Sequence, residues 1–151
     1  MAHAQTKIYL DVCALCRPYD DQHLMRIRLE TDALYLVLQH IQNSQYTMIV
    51  SPVHFREVAA IAEPRERAEV TALLHRYGTN PSCDLRAVRK RADALHARRF
   101  GVADAAHVAF AEATADVCMT CDDRLLRQCR RTTMSLRVMN PIDFCLAEDL
   151  R

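Results

Sequence analysis

Two aspartates follow short apolar runs that are typical of buried strands. Asp11 comes directly after the run at 7–10, and Asp122 comes two residues after the run at 117–120. Ligands of open parallel sheets bind outside the carboxyl ends of the strands. We therefore expect these two carboxylates to be neighbours at one edge of a sheet.

Two further acids lie on predicted helices. Glu57 lies six residues into a helix for which Ser51 is a good N-cap, and it is flanked by Val53 and Ile61 four residues away on either side. A carboxylate on such an apolar face should point toward the sheet, where glutamate is rare unless it is paired or ligated. Asp104 lies in the first turn of another helix.

Each acid also has an ordinary structural explanation. Asp11 could be a turn residue, Asp122 could cap the following helix, and Asp104 could serve only the helix dipole. As a group they are harder to explain, because two carboxylates about 4 Å apart repel by roughly 4 kcal/mol at an effective dielectric constant near 20. Such a cluster must take up protons or bind a cation, and all-oxygen ligands favour Mg²⁺ or Mn²⁺ over zinc. The four acids therefore predict a metal site that could activate water against a phosphate ester.

The hydrophobic pattern predicts alternating strands and helices. Strands are predicted at 7–10, 47–50, 117–120 and 136–139, and helices at 21–43, 52–62, 64–77, 84–99, 103–113 and 122–130, with a last short helix from Pro141. Alternation of this kind, with short and wholly apolar strands, indicates a parallel sheet covered by helices on both faces. No repeat or linker interrupts the pattern, so we expect residues 1–151 to form a single α/β domain.

Composition narrows the classes of protein that fit. With only two glycines, Gly78 and Gly101, no glycine-rich phosphate loop of the Rossmann or P-loop type can be written. No membrane span and no signal peptide are apparent, so we expect a cytoplasmic protein. The net charge of +1 gives no overall attraction to nucleic acid. The arginines, however, cluster at 86–99 and 124–131, where they could contact phosphate or form a solvated helix face.

Seven cysteines include two Cys-x-x-Cys pairs, Cys13 with Cys16 and Cys118 with Cys121. The odd number and the missing export signal favour reduced thiols. A four-thiolate zinc site is the less favoured alternative, because Cys118 lies in a predicted buried strand and the turn residues of a zinc knuckle are absent.

The acids lie within segments that resemble the motifs of PIN-domain proteins. Residues 8–21 (IYLDVCALCRPYDD) resemble the first motif of a bacterial subgroup with an Arg-Pro-aromatic-Asp-Asp extension, and 51–58 (SPVHFREV) resemble the second. Residues 101–109 (GVADAAHVA) match the third motif, 120–123 (TCDD) resemble the fourth, and 140–144 (NPIDF) are similar to the closing one. The ordered set spans nearly the whole chain.

This resemblance implies a three-layer α/β/α fold with a central parallel sheet, bound Mg²⁺ or Mn²⁺, and endoribonuclease activity that leaves a 5′-phosphate. It implies catalytic and metal-binding roles for Asp11, Glu57, Asp104 and Asp122, and the Thr-x-Asp spacing selects Asp122 over Asp123. Short bacterial members are often VapC-like toxins held inactive by a small antitoxin, and members of this class often form homodimers. RNA and an antitoxin are therefore the expected partners.

Residues beside the acids are candidates for substrate contacts. They are Arg17, Thr120 and Arg124. His107, one turn after Asp104, could contact substrate or orient that acid, although a structural histidine is more common. The segment 63–99 matches no motif, and we expect it to determine which substrate is bound.

Two alternative functions stay open. A phosphatase or phosphoacceptor of another doubly wound fold would need a second acid two residues after its aspartyl nucleophile, or a lysine at a later strand end. Cys13 stands two residues after Asp11, and neither lysine lies at such an end. A PIN-fold binding module without activity is the other alternative, and the presence of all four acids argues against it.

Overall fold

The computed structural model describes residues 4–151, and five strands form its centre. All neighbouring strands are parallel, in the order β3-β2-β1-β4-β5. The strands are β1 (Thr6–Leu10), β2 (Tyr46–Ile49), β3 (Gly78–Thr79), β4 (Val117–Met119) and β5 (Arg137–Met139). The predicted α/β class with a central parallel sheet is confirmed.

Eight α-helices connect and cover the strands within residues 4–151. They are α1 (Val12–Leu15), α2 (Met25–Gln42), α3 (Pro52–Ala59), α4 (Pro64–Tyr77), α5 (Leu85–Ala97), α6 (Val102–Thr114), α7 (Asp123–Arg130) and α8 (Pro141–Ala147), with a 3₁₀ turn at Arg17–Tyr19. None of them is long and apolar enough to cross a lipid bilayer.

The three layers follow from the alternation of side chains along the strands. Ile8 and Leu10 of β1 pack on one face of the sheet with Leu34 of α2 and Phe144 of α8. Tyr9 points to the other face, where it joins a cluster that includes Ala111 of α6. Successive residues of a strand point to opposite faces, so both faces of β1 are buried under helices.

The observed helices differ from the predicted ones mainly at their ends. Helix α2 begins at Met25 rather than at residue 21, because the chain before it is held in a tight turn. In this turn Gln22 donates to the carbonyls of Arg17 and Asp20, and the Asp21 carboxylate accepts from the N–H of His23. Helix α1 and the 3₁₀ turn lie within a stretch where no helix was predicted.

Strand β3 was also not predicted, and its first residue has a steric role. Gly78 pairs with Met48 of β2. A Cβ atom at this position would press against the Leu74 carbonyl oxygen and lie 2.5 Å from a methyl group of Val50. The glycine therefore ends α4, as predicted, and also permits the edge strand to approach β2 closely.

Candidate active site

Asp11 occupies the carboxyl end of β1, the central strand. Its N–H donates to the Met119 carbonyl over 3.1 Å, and its Oδ1 accepts from the N–H of Ala14 over 2.8 Å as the N-cap of α1. The residue is 3% exposed, and this burial is the main reason that the pKa of its carboxyl is raised to about 6. The charge of Asp104 also raises this pKa, whereas the Thr120 side chain and the Ala14 N–H lower it.

Asp104 lies near this carboxylate in the first turn of α6, and Asp122 lies near it directly before α7. Burial raises the pKa of Asp104, and the charge of Asp122 raises it further. Asp122 is also the N-cap of α7, where its Oδ1 accepts from the N–H groups of Arg124 at 2.9 Å and Leu125 at 3.3 Å. Its own N–H donates to Thr120 Oγ1 over 3.1 Å. Asp122 therefore serves as a cap and also contributes charge to the acidic cluster.

Glu57 reaches the same region from α3, but its carboxylate binds Nε2 of His107. This hydrogen bond is the main reason that the pKa of Glu57 is lowered. Glu57 is less buried than expected, because 35% of its side chain is exposed, but its carboxylate faces inward and is paired with the buried His107. Helix α3 ends at Ala59, so Ile61 does not extend the apolar face on which that expectation rested.

His107 is buried and belongs to a polar network below Glu57. Its Nδ1 lies 2.6 Å from the Tyr9 hydroxyl, which in turn lies 2.7 Å from Ser51 Oγ. A neutral imidazole with its proton on Nε2 satisfies both contacts, since the ring then donates to Glu57 and accepts from Tyr9. His107 thus contacts Glu57 through a hydrogen bond, where Asp104 was the partner considered from the sequence.

His54 completes this network on α3. Its Nδ1 accepts from the N–H of Ser51 over 3.0 Å, and its Nε2 lies 2.6 Å from the Leu10 carbonyl oxygen. Burial lowers the pKa of His54 to about 4, so this ring is neutral near pH 7. Sequence reasoning missed Tyr9 and His54 as parts of the site. Little in the sequence indicated either residue. Tyr9 is a polar group in an otherwise apolar strand, and His54 is a polar group in the segment that caps a helix.

The carboxylates share one region without converging on a point. In the part of the chain from residue 4 onward, no three His, Cys, Asp or Glu side chains come close enough together to hold a metal ion as they stand. The two Cys-x-x-Cys pairs are included in that statement, and Cys118 is fully buried in β4. Nevertheless, the oxygen donors and the raised pKa values of Asp11 and Asp104 fit a divalent cation, whose charge would offset their burial.

The predicted substrate contacts lie around these acids. Thr120 is buried and holds the N–H of Asp122. The charge of Arg124 lowers the pKa of Asp104, which places this guanidinium within electrostatic range of the acids. Arg17 donates to Glu30 and to Asp20, each over 3.0 Å.

Sequence reasoning missed Glu30, which is fully buried in α2. A signal was available, because Glu30 lies three residues after Ile27 and four before Leu34. This spacing puts it on the buried face of the helix.

Comparison with known proteins agrees with this architecture. The chain is similar to the crystal structure of FitAcB from Neisseria gonorrhoeae, with a TM-score of 0.50, 14% sequence identity, and coverage of 89% of this chain and 97% of the other. At that identity the likeness concerns the fold. No curated protein sequence matches the chain. The family model of the PIN domain matches residues 8–131, and the chain therefore belongs to the PIN domain family.

Proposed function

We propose that this protein is an endoribonuclease that hydrolyses RNA phosphodiester bonds with Mg²⁺ or Mn²⁺. Its catalytic and metal-binding residues would be Asp11, Glu57, Asp104 and Asp122. The observation that carries the proposal is the buried carboxylate of Asp11 at the carboxyl end of the central strand, where burial raises its pKa to about 6. A buried carboxylate beside other acids is costly when it is charged, unless a cation compensates for it. Membership of the PIN family supports nuclease chemistry.

Asp11 and Asp104 are the residues best suited to hold the cation, because burial raises the pKa of both carboxyl groups. When bound, a divalent cation supplies a water of lowered pKa and neutralises charge on the phosphate. Asp11 is held in place by the N–H of Ala14, and Asp122 by the first turn of α7. Both carboxylates therefore meet a ligand with little loss of side-chain freedom.

In this proposal the carboxylate of Glu57 is held in a fixed orientation. Its Oε1 is bound by His107, and His107 is in turn held by Tyr9. Oε2 is then the oxygen that can orient a water molecule or contact the cation. Arg17 and Arg124 would contact the RNA strand beside the acids. Thr120, predicted as a third contact, is fully buried and would instead position Asp122 through its N–H.

A PIN-fold binding module without activity is the second candidate. The observation in its favour is that Glu57 is bonded to His107 and that no three potential ligands within residues 4–151 converge on one point. Hydrolysis of RNA separates the two candidates. If the protein is a nuclease, wild type cleaves RNA in Mg²⁺ and the Asp11→Asn variant does not. If it is a binding module, neither wild type nor the variant cleaves RNA.

We further propose that the protein is the toxin of a toxin–antitoxin pair and acts on RNA in the cytoplasm. The support is the resemblance of its motif set to VapC-like proteins of the PIN family. A short open reading frame immediately upstream would supply the antitoxin, and co-expression should yield a complex that purifies together and does not cleave RNA. Light scattering of the isolated chain tests whether it forms a homodimer.

A further inference from the structure

Glu30 is a buried carboxylate that the candidate active site does not use. It lies in the second turn of α2 and is 0% exposed. Arg17 donates to its Oε1 from Nε over 3.0 Å, and Asn140 donates to Oε2. The Nε atom of Arg26 lies 3.6 Å from Oε2. Both carboxylate oxygens are therefore matched by donors, as a buried charge requires.

The two arginines extend from this buried acid to the surface beside the candidate active site. Arg26 binds both carboxylate oxygens of Asp123 over 2.7 Å, in a two-pronged ion pair. Arg17 also donates to Asp20 over 3.0 Å. Both arginines line a surface cleft of about 630 Å³, whose wall also includes Asp122.

Neither guanidinium is saturated by these contacts. A guanidinium carries five N–H donors in a rigid plane. Among the described residues, Arg17 uses three of them on Glu30 and Asp20. Arg26 uses two on Asp123, with Nε near Glu30. Donors that remain in a cleft next to a phosphate-cleaving site are suited to the oxygens of a second phosphate.

We propose that Glu30 is a positioning residue that holds Arg17 and Arg26 in the wall of this cleft, where they bind a backbone phosphate of the RNA strand next to the one at the acids. This inference rests on the proposed ribonuclease function and says which surface the RNA strand follows beyond the acids. It also gives a role to the Arg-Pro-Tyr-Asp-Asp segment at 17–21, which brings Arg17 and its partner Asp20 to the buried carboxylate. A side chain fixed in this way loses little freedom when it binds phosphate.

A purely electrostatic role of Glu30 and a positioning role predict opposite effects of Glu30→Gln on the affinity for RNA. Removing a negative charge beside two arginines makes the cleft more positive, so an electrostatic role alone would tighten RNA binding. If Glu30 instead holds the guanidinium groups in place, the variant frees both of them and weakens binding. The direction of the change therefore tests the role of the residue.

The experiment measures the affinity for a short, fluorescently labelled single-stranded RNA over a series of salt concentrations. All proteins carry Asp11→Asn, so that the RNA stays intact. Arg26→Gln should weaken binding about tenfold, the lower bound for a charge-assisted hydrogen bond. It should also make the slope of log affinity against log salt shallower by about 0.7, the value for one phosphate contact to a single strand.

Arg76→Gln is the matched control. It removes the same charge from the last turn of α4, which directly precedes β3 and so lies at the amino edge of the sheet, opposite the acids. We expect it to leave both the affinity and the slope unchanged. Arg26→Lys keeps the charge but loses the planar, forked set of guanidinium donors, so it should bind RNA several-fold more weakly. The Arg26 side chain is 53% exposed, and the variant should therefore fold normally.

The outcomes are distinct. Weaker binding by Glu30→Gln and by both Arg26 variants, with Arg76→Gln unchanged, supports the proposal. Unchanged binding by Arg26→Lys, or tighter binding by Glu30→Gln, overturns it and leaves the nuclease function standing. If Glu30→Gln does not fold, the two Arg26 variants decide the question. If the Asp11→Asn parent binds no RNA at all, this proposal fails, because the two arginines then hold no strand. The ribonuclease function is decided separately, by cleavage of RNA with the wild-type protein.

Discussion

The hydroxyl of Tyr9 lies 2.6 Å from Nδ1 of His107, and both residues are buried. Tyr9 belongs to the central strand β1 and His107 to helix α6, and the other ring nitrogen of His107 binds Glu57 of α3. One chain of hydrogen bonds therefore connects the three elements that carry Asp11, Asp104 and Glu57. We expect the orientation of Glu57 to depend on a hydroxyl group that no substrate touches.

Tyr9→Phe tests this dependence. The change removes the shared partner of His107 Nδ1 and Ser51 Oγ, and an unsatisfied buried polar group costs about 1–3 kcal/mol. We expect a loss of this size in the free energy of unfolding by urea, and a lower kcat on RNA with KM nearly unchanged. Tyr46→Phe, at a half-buried tyrosine packed edge-on against Phe144, is the control. Equal losses in the two variants would show that the network has no special role.

The burial of Asp11 predicts how stability depends on pH. Its carboxyl has a pKa of about 6 in the folded chain, against an ordinary value of 3.8. Between these values the folded protein keeps a proton that the unfolded chain releases. The stability of the metal-free protein therefore falls as the pH rises through this window, and above it the charged carboxylate costs about 3 kcal/mol.

Asp11→Asn should remove this fall, because asparagine still accepts from the N–H of Ala14 but carries no charge. We expect the variant to be more stable than wild type above pH 6 when metal is absent, as measured by urea unfolding across the window. The control is Asp149→Asn, at an exposed ion pair with Arg151, which should follow the wild-type profile. Parallel profiles for Asp11→Asn and wild type would refute the assignment of this pH dependence to Asp11.

Repulsion among the acids makes a second prediction, for Asp104→Asn. Burial raises the pKa of Asp104 and the charge of Asp122 raises it further, so neutralising Asp104 should raise the melting temperature of the metal-free protein. Mn²⁺ should stabilise wild type by about 1–3 kcal/mol at concentrations about ten to a hundred times its Kd, and this gain should disappear in the variant. Calorimetric scans with and without Mn²⁺ measure both effects. A wild-type melting temperature that does not respond to Mn²⁺ would favour the binding module.

The strands that carry the site could be predicted from the sequence, because each is a short apolar run that ends at a polar residue. The rule for the carboxyl ends of parallel strands also led to Asp11 and Asp122 as neighbours. Strand β3 could not be predicted, since Gly78–Thr79 is too short to show a pattern and is defined by its pairing with β2.

The side-chain contacts of the site depend on distant parts of the chain. Glu30 is paired with Arg17, 13 positions away, and with Asn140, 110 positions away. A local helical pattern cannot show that such partners will meet. The hydrophobic pattern of the sequence also could not show how the Glu57 carboxylate is oriented, because this orientation depends on His107, 50 positions later in the chain.

Gly78→Ala tests the close approach of β3 to β2. The new methyl group would meet the Leu74 carbonyl and the side chain of Val50, so we expect a loss of about 1–3 kcal/mol in the free energy of unfolding. At Gly101 the nearest atom to an added Cβ is Asp104 Oδ2, at an ordinary contact distance of 3.6 Å. Gly101→Ala should therefore cost much less, and urea unfolding compares the two. If both substitutions were tolerated equally, the packing described at β3 would be incorrect.

In the proposed function, the buried Asp11 carboxylate belongs to a metal-dependent ribonuclease site. The most direct test follows single-turnover cleavage of end-labelled RNA by wild type, Asp11→Asn and the exposed control Asp149→Asn, in Mg²⁺ and in EDTA. We predict that wild type and Asp149→Asn cleave RNA in Mg²⁺, leaving 5′-phosphate ends. Neither should cleave in EDTA, and Asp11→Asn should cleave under neither condition. Equal cleavage by wild type and Asp11→Asn, or cleavage in EDTA, would contradict this function.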